Sequence, residues 1–291
     1  MKTLVRSAFL LITLCTQLDA QSVDRLIATD ATVKTLAIGF QFTEGPAVAA
    51  DGSVVFSDIP NSRIHHWSTD GKISVVRENT GRANGLFYLP DGRLVACEGG
   101  NRQVTVMGKD GKIEVLANEC NGKKLNSPND LWPDKAGGIY FTDPRYGDME
   151  GLEQPGFHVY YIDSKGRVNR IISDLVKPNG ILGTADNKYL YVADPGDKKT
   201  YRYVIKRPGK LGARELFCEC GSDGMTLDES GNLYLTSGAV KVYSPMGKHL
   251  GDIETPLPPA NVVFGGVDRK TLYITARSSF YSLQMTVAGD N

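Results

Sequence analysis

Between Val33 and Leu283 the chain alternates apolar and polar residues in short runs separated by Gly, Asn and Asp, and nowhere shows the spacing of an amphipathic helix. Six runs follow a turn signal and are rich in β-branched and aromatic residues: 51–58, 91–98, 137–143, 187–194, 230–237 and 269–276. A turn dipeptide followed by such a run predicts a hairpin. A shorter amphipathic run follows each, at 63–67, 103–107, 158–162, 200–204, 240–243 and 280–283, and solvent-facing runs at 72–76, 112–116 and 167–171 come after a further glycine turn. The chain reads as all-β, built from six similar units.

A short phrase opens each unit: an acidic or amide residue at the start of an apolar run, usually beside Gly or Pro. It stands in Phe42-Thr-Glu44-Gly-Pro46, Arg82-Ala-Asn84-Gly-Leu86, Ser127-Pro-Asn129-Asp-Leu131, Lys177-Pro-Asn179-Gly-Ile181, Ser222-Asp223-Gly-Met225 and Pro259-Ala-Asn261-Val-Val263. Successive members from Glu44 are 40, 45, 50, 44 and 38 residues apart by subtraction of those numbers. That period is the period of β-propeller blades, four-stranded antiparallel sheets that bury their faces only against their neighbours. The prediction is a six-bladed β-propeller. Its last blade runs short of residues, so the run at 33–40 is expected to complete it and close the ring without a long exposed edge.

In such a ring the position just before each blade's first strand lies at one end of the central channel. Glu44, Asn84, Asn129, Asn179, Asp223 and Asn261 should therefore converge, and all six bring a side-chain oxygen. Hard oxygen donors select Ca²⁺ or Mg²⁺ over softer metals.

The remaining features refine this picture. With 33 basic and 33 acidic residues and 41% hydrophobic content, the chain has no charge bias toward nucleic acid and enough apolar residues for one large core. Lys2 and Arg6 precede a short apolar stretch, Ala8 to Cys15, and a polar stretch ending at Ala20. This predicts a signal peptide over 1–20, too short to span a membrane, export to a periplasm or the outside, and a single mature domain over 21–291. Cys97, Cys120, Cys218 and Cys220 then remain, an even number whose pairing spacing does not give. Cys218 and Cys220 fall on one face of a strand and read as separate partners or buried free thiols. The longest spacing holds a Gly-rich, charged insertion at 144–157, which reads either as a lid or as a disordered surface loop.

Taken together, Phe42-Thr-Glu-Gly-Pro46, Leu125-Asn-Ser-Pro-Asn-Asp130, Tyr140-Phe-Thr-Asp-Pro144, Lys177-Pro-Asn-Gly180, Tyr191-Val-Ala-Asp194, Ser222-Asp-Gly-Met225 and Leu272-Tyr-Ile-Thr-Ala-Arg277 resemble the gluconolactonase and regucalcin family. The resemblance runs from about Phe42 to Tyr281. It implies one divalent metal, most often Ca²⁺ with Mg²⁺, Mn²⁺ or Zn²⁺ as alternatives, and hydrolysis of sugar lactones. It further implies Glu44, Asn179 and Asp223 as metal ligands, Asn129 as a ligand or substrate contact, and Asp223 as acid/base. Ser127 departs from the pattern, since regucalcin-like members can place an arginine there facing the sugar.

Direct coordination lowers a carboxylate pKa and makes it a poorer base, so Asp223 is expected to hold the attacking water while the metal polarises the carbonyl. Asn84 and Asn261 are candidates for touching substrate or for tying loops together. His65, His66, His158 and His249 fall away from the ring, which disfavours a histidine-dependent zinc hydrolase and a Ser-His-Asp hydrolase. No Gly-x-Ser-x-Gly elbow or phosphate-cradling loop occurs. A quinone-dependent sugar dehydrogenase would need a basic residue and a histidine that the ring lacks. The reading from another class is a calcium-binding propeller that serves as a ligand-binding or interaction module.

Overall fold

The computed structural model describes residues 22–290 and places six four-stranded antiparallel blades around a channel. The predicted leader lies outside the described residues. The first blade is Thr43–Val48, Val54–Asp58, Arg63–Trp67 and Ile73–Glu78, and the second is Ala83–Tyr88, Leu94–Glu98, Gln103–Met107 and Ile113–Ala117. The third comprises Leu131–Pro133, Ile139–Asp143, His158–Ile162 and Val168–Ile172; the fourth, Ile181–Gly183, Tyr189–Asp194, Lys199–Arg207 and Lys210–Cys218. Met225–Leu227, Leu233–Ser237, Ala239–Tyr243 and His249–Ile253 form the fifth.

Closure is as expected. The sixth blade takes Asn261–Gly265, Thr271–Ala276 and Ser279–Gln284 from the end of the chain and Lys34–Ile38 from its beginning, with Lys34 opposite Ser282 and Ile38 opposite Ser279. Each end of the chain thereby holds the other. Before that strand a short 3-10 turn, Val23–Leu26, buries Val23 and Leu26 against the fifth and sixth blades. Among the described residues no helix is long and apolar enough to cross a membrane.

The apolar face of each sheet is covered by the next blade, so the core is divided into six clusters, one at each blade interface. Val95, Phe141 and Tyr160 meet between the second and third blades. Trp132, Tyr140, Leu190 and Val192 meet between the third and fourth. Phe56, stacked on Phe280 at 4.4 Å, belongs to the cluster that seals the ring. Outermost strands are open to solvent, as in Ile73–Glu78, where Ile73, Val75 and Val76 are all exposed. Cys97, Cys120, Cys218 and Cys220 are free and buried; Cys218 ends its strand and Cys220 lies just beyond it, so the two do not share a strand face as their spacing suggested.

Candidate functional site

Two recurring contacts explain why the repeated phrases look as they do. Second strands tend to end in a carboxylate that receives backbone N–H groups from the segment leading into the same blade. Asp58 takes Gln41 and Phe42, Asp143 takes Asn126 and Ser127, and Asp194 takes Val176 and Lys177. One residue earlier, a hydroxyl donates to the backbone of the next blade: Ser57 to the Asn84 carbonyl at 2.7 Å and Thr142 to the Asn179 carbonyl at 2.7 Å. These acidic and hydroxyl residues fix the ring; they do not line it.

The ring residues do not all precede their strands. Asn129, Asn179 and Asp223 do, whereas Glu44 and Asn84 lie within theirs, because the pairing shifts at Glu44/Ala47 and Ala83/Leu86 let the innermost strand continue past a bulge, and Asn261 is the first residue of a strand that pairs without a shift. Glycine follows four of the six, and close approach demands it. A Cβ on Gly45 would stand 2.0 Å from the Asn84 carbonyl oxygen, and one on Gly224 would stand 1.9 Å from Asn261 Cγ. Each blade's glycine thus seats the next blade's ring residue.

Glu44, Asn179 and Asp223 come together. Asn179 Nδ2 donates to Asp223 Oδ1 at 2.6 Å and to the Tyr146 hydroxyl at 2.8 Å. A side-chain hydrogen bond joins Glu44 to Asp223. Burial, reinforced by the Asp223 charge, holds the Glu44 carboxyl well above the usual carboxylate range; burial likewise raises Asp223, opposed by hydrogen bonds from Asn179 and Glu44 and by the Arg277 charge. Two carboxylates in one dry place either share a proton or hold a cation.

The other ring members are placed differently. Asn261 Oδ1 accepts from the backbone of Val262 at 2.8 Å, and its side chain hydrogen-bonds Glu44 and Asp130. Asn129 is buried, with its backbone bonded to Thr142 and Gly85, and Asn84 is half-buried, its carbonyl taken by Ser57. Asp130 is a carboxylate the sequence reading did not count. Burial pushes it up to about 7, and the charges of both Asp223 and Glu44 interact with it. It occupies the position where four other repeats carry glycine, and that break in the pattern is the signal that marks it.

A cleft of about 730 Å³ opens on Asn179 and Asp223, walled by Tyr146, Ser222, Thr236 and Tyr243. Tyr146 belongs to the insertion at 144–157 and is the residue of that insertion that lines the cleft. His249 also lines the cleft, nearer than its spacing suggested, but it is paired with Asp252 at 2.6 Å. A second cavity, about 1050 Å³, occupies the channel on the other side and reaches Asp130 and Asn261.

Do these residues fit a metal ion? Among the described residues no three His, Cys, Asp or Glu side chains form a cluster suited to one. The candidate set instead relies on an amide. With both Asn179 N–H groups committed to Asp223 and Tyr146, Asn179 Oδ1 is left buried without a hydrogen-bond partner. An orphaned oxygen on the carboxamide that bonds one of two coupled carboxylates fits a hard cation.

Residues 42–278 match the model of the SMP-30/gluconolactonase/LRE-like region. A gluconolactonase of Zymomonas mobilis is 28% identical over 288 residues, spanning 87% of this chain and 81% of that protein. The solved structure of a gluconolactonase from Xanthomonas campestris superposes with a TM-score of 0.84 at 31% identity, covering 90% of this chain and 92% of the other. A calcium-binding regucalcin from Agrobacterium tumefaciens, at 20% identity and a TM-score of 0.75 over 89% of this chain and 95% of its own, shares the fold. With its blades, its ring residues and this match over most of its length, the chain belongs to the SMP-30/gluconolactonase/LRE-like family.

Proposed function

We propose that the chain hydrolyses a sugar lactone, of the gluconolactone kind, to the free acid, with Glu44, Asn179 and Asp223 holding a divalent cation and Asp223 serving as acid/base. It is a hydrolase of lactone esters, as the gluconolactonases similar to it are by name. The observation that carries the site assignment is the Asn179 carboxamide, whose nitrogen is fully engaged and whose oxygen is left bare.

A divalent cation, Ca²⁺ by its preference for hard oxygens, supplies Lewis-acid polarisation of the lactone carbonyl when bound. The protein's own groups do the rest. Asp223 accepts from Asn179 at Oδ1 and is joined to Glu44; with a cation in place of a proton shared with Glu44, its carboxylate would orient a water and accept that water's proton as the acyl carbon is attacked. The same carboxyl returns that proton to the departing alcohol. Asn261 keeps Glu44 in place, Asn129 and Asn84 are the ring's candidates for a substrate contact although neither lines the cleft, and Tyr146 limits access of bulk water. Lactones are reactive esters, so a modest base suffices.

The test is a pH-indicator screen of aldonolactones with and without chelator and added Ca²⁺. Acid release that disappears on chelation and returns with calcium supports the reading. Binding of sugars without any turnover would instead favour a calcium-dependent binding module.

A further inference from the structure

The insertion at 144–157 brings a residue that the six-fold repeat does not supply. Tyr146 lines the same cleft as Asn179 and Asp223, and its ring lies under Lys177 Nζ at 4.1 Å, a cation–π contact to the segment that carries Asn179. Its neighbour Arg145 ties the insertion down by donating to the carbonyls of Asn126 and Asp148, each at 2.8 Å. Tyr146 is thus held from both sides.

A phenolic hydroxyl has one proton to give and lone pairs to receive. Asn179 Nδ2 can only donate, so the 2.8 Å contact fills the accepting side of the Tyr146 hydroxyl. Among the described residues no hydrogen bond takes the Tyr146 proton. It is available to the cleft.

We propose that Tyr146 donates this proton in a hydrogen bond to the ring oxygen of the bound lactone, the atom on which charge develops as the ring opens. The assignment rests on the lactonase reading above. An ester group and a carboxamide have the same width, two heteroatoms on one carbon. A lactone whose carbonyl lies toward the Oδ1 edge of Asn179 therefore places its ring oxygen toward the Nδ2 edge, where Tyr146 sits. In the reaction, water oxygen bonds to the acyl carbon, the bond from that carbon to the ring oxygen breaks, and its electron pair stays on the ring oxygen. The proton that finally neutralises that oxygen is the one Asp223 took from water. Tyr146 keeps its own proton throughout and lowers the barrier only by the strength its hydrogen bond gains as charge appears.

The experiment compares Tyr146→Phe with the parent on two lactones that differ in leaving group: an aldono-δ-lactone, which departs as an alkoxide, and dihydrocoumarin, which departs as a phenolate whose conjugate acid has a pKa near 10. Loss of a donor to a developing oxyanion costs about 10²–10³-fold in kcat. The expected result is a loss near the lower end of that range on the aldonolactone, a several-fold smaller one on dihydrocoumarin, and KM and calorimetric Ca²⁺ affinity unchanged. An unchanged kcat on the aldonolactone overturns the proposal. So does an equal loss on both lactones, or a fall in Ca²⁺ affinity that accounts for the loss, since either marks Tyr146 as merely structural. If the parent opens neither lactone, the lactonase reading itself falls, an outcome distinct from the others because it appears before any substitution is made.

Discussion

Asn179 gives one N–H to Asp223 Oδ1 at 2.6 Å, so its carboxamide is unable to turn over without setting oxygen against oxygen. The orientation of the amide proposed to face the metal is therefore fixed by a carboxylate before any ion arrives. Asn179→Asp removes the donor and adds a third carboxyl to a pair already crowded by burial. Without metal the variant should lose about 1–3 kcal/mol, the range for an unsatisfied buried polar group, or several degrees in Tm. With saturating Ca²⁺ it should recover most of that, because a ligand that binds only the folded state stabilises it. Thermal unfolding followed by circular dichroism, with EDTA and with calcium, reads both quantities. Equal melting of variant and parent in EDTA would mean that Asn179 and Asp223 are not coupled as described.

The glycine after Asp223 is needed for space. Gly224→Ala places a methyl group 1.9 Å from Asn261 Cγ, and Asn261 in turn supports Glu44 and Asp130. Overpacking of this kind costs about 1–3 kcal/mol. Combining it with Asn261→Ala should return part of the loss, because the clash is then removed, and a double-mutant cycle by urea unfolding measures the coupling. Strict additivity would show that the two side chains do not compete for the same space.

Acid should weaken the third blade through His158. This imidazole is buried, and its Nε2 faces the Arg170 guanidinium at 3.4 Å, a group that only donates. Burial first and the Arg170 charge second hold its pKa below the ordinary value. The unfolded chain, with a histidine pKa near 6.5, binds the proton more readily than the folded one. Stability from this group is therefore complete above about pH 6.5 and declines as pH falls below it. His158→Gln should flatten the dependence of Tm between pH 7.5 and 5, whatever its offset at neutral pH. An undiminished slope would move the origin elsewhere, with His65, also lowered by burial, as the next candidate.

The blades were legible because repetition averages out local ambiguity. Val54–Asp58 alone is a short apolar run, but five further runs at the same phase make it a second strand. The pairing of Lys34–Ile38 with Ser279–Gln284 followed from counting strands, since a ring one strand short has a single place to find it. The proximity of Glu44, Asn179, Asp223 and Asn261 was legible for the same reason. What repetition hides is whatever happens once. Asp130 stands beside a ring residue where most repeats have glycine, and its surroundings are the Asn261 side chain, the Leu131 and Ile181 backbones and the closely approaching Gly85. Tyr146 lies in the one long insertion, where no period tells which side chain turns inward. The motif carboxylates Asp58, Asp143 and Asp194 repeat as regularly as the ring does, and only their backbone N–H partners mark them as structural.

The last prediction separates an enzyme from a scaffold. Asp223→Asn retains an oxygen that can receive the Asn179 N–H and face a cation, so the fold should persist and metal affinity should drop only modestly. It removes the proton acceptor, and loss of a general base costs about 10²–10⁴-fold. Rates must be compared at saturating metal, established for each protein by titration, because a half-occupied site imitates a chemical defect. Asp223→Asn and Tyr146→Phe should also differ in kind. The first should slow the aldonolactone and dihydrocoumarin alike, since every lactone needs an activated water, whereas the second should discriminate by leaving group. If Asp223→Asn at full occupancy opens the aldonolactone at the parent rate, Asp223 is a ligand only. The base would then lie elsewhere or be unnecessary, and turnover would rest on groups other than the Asp223 carboxylate.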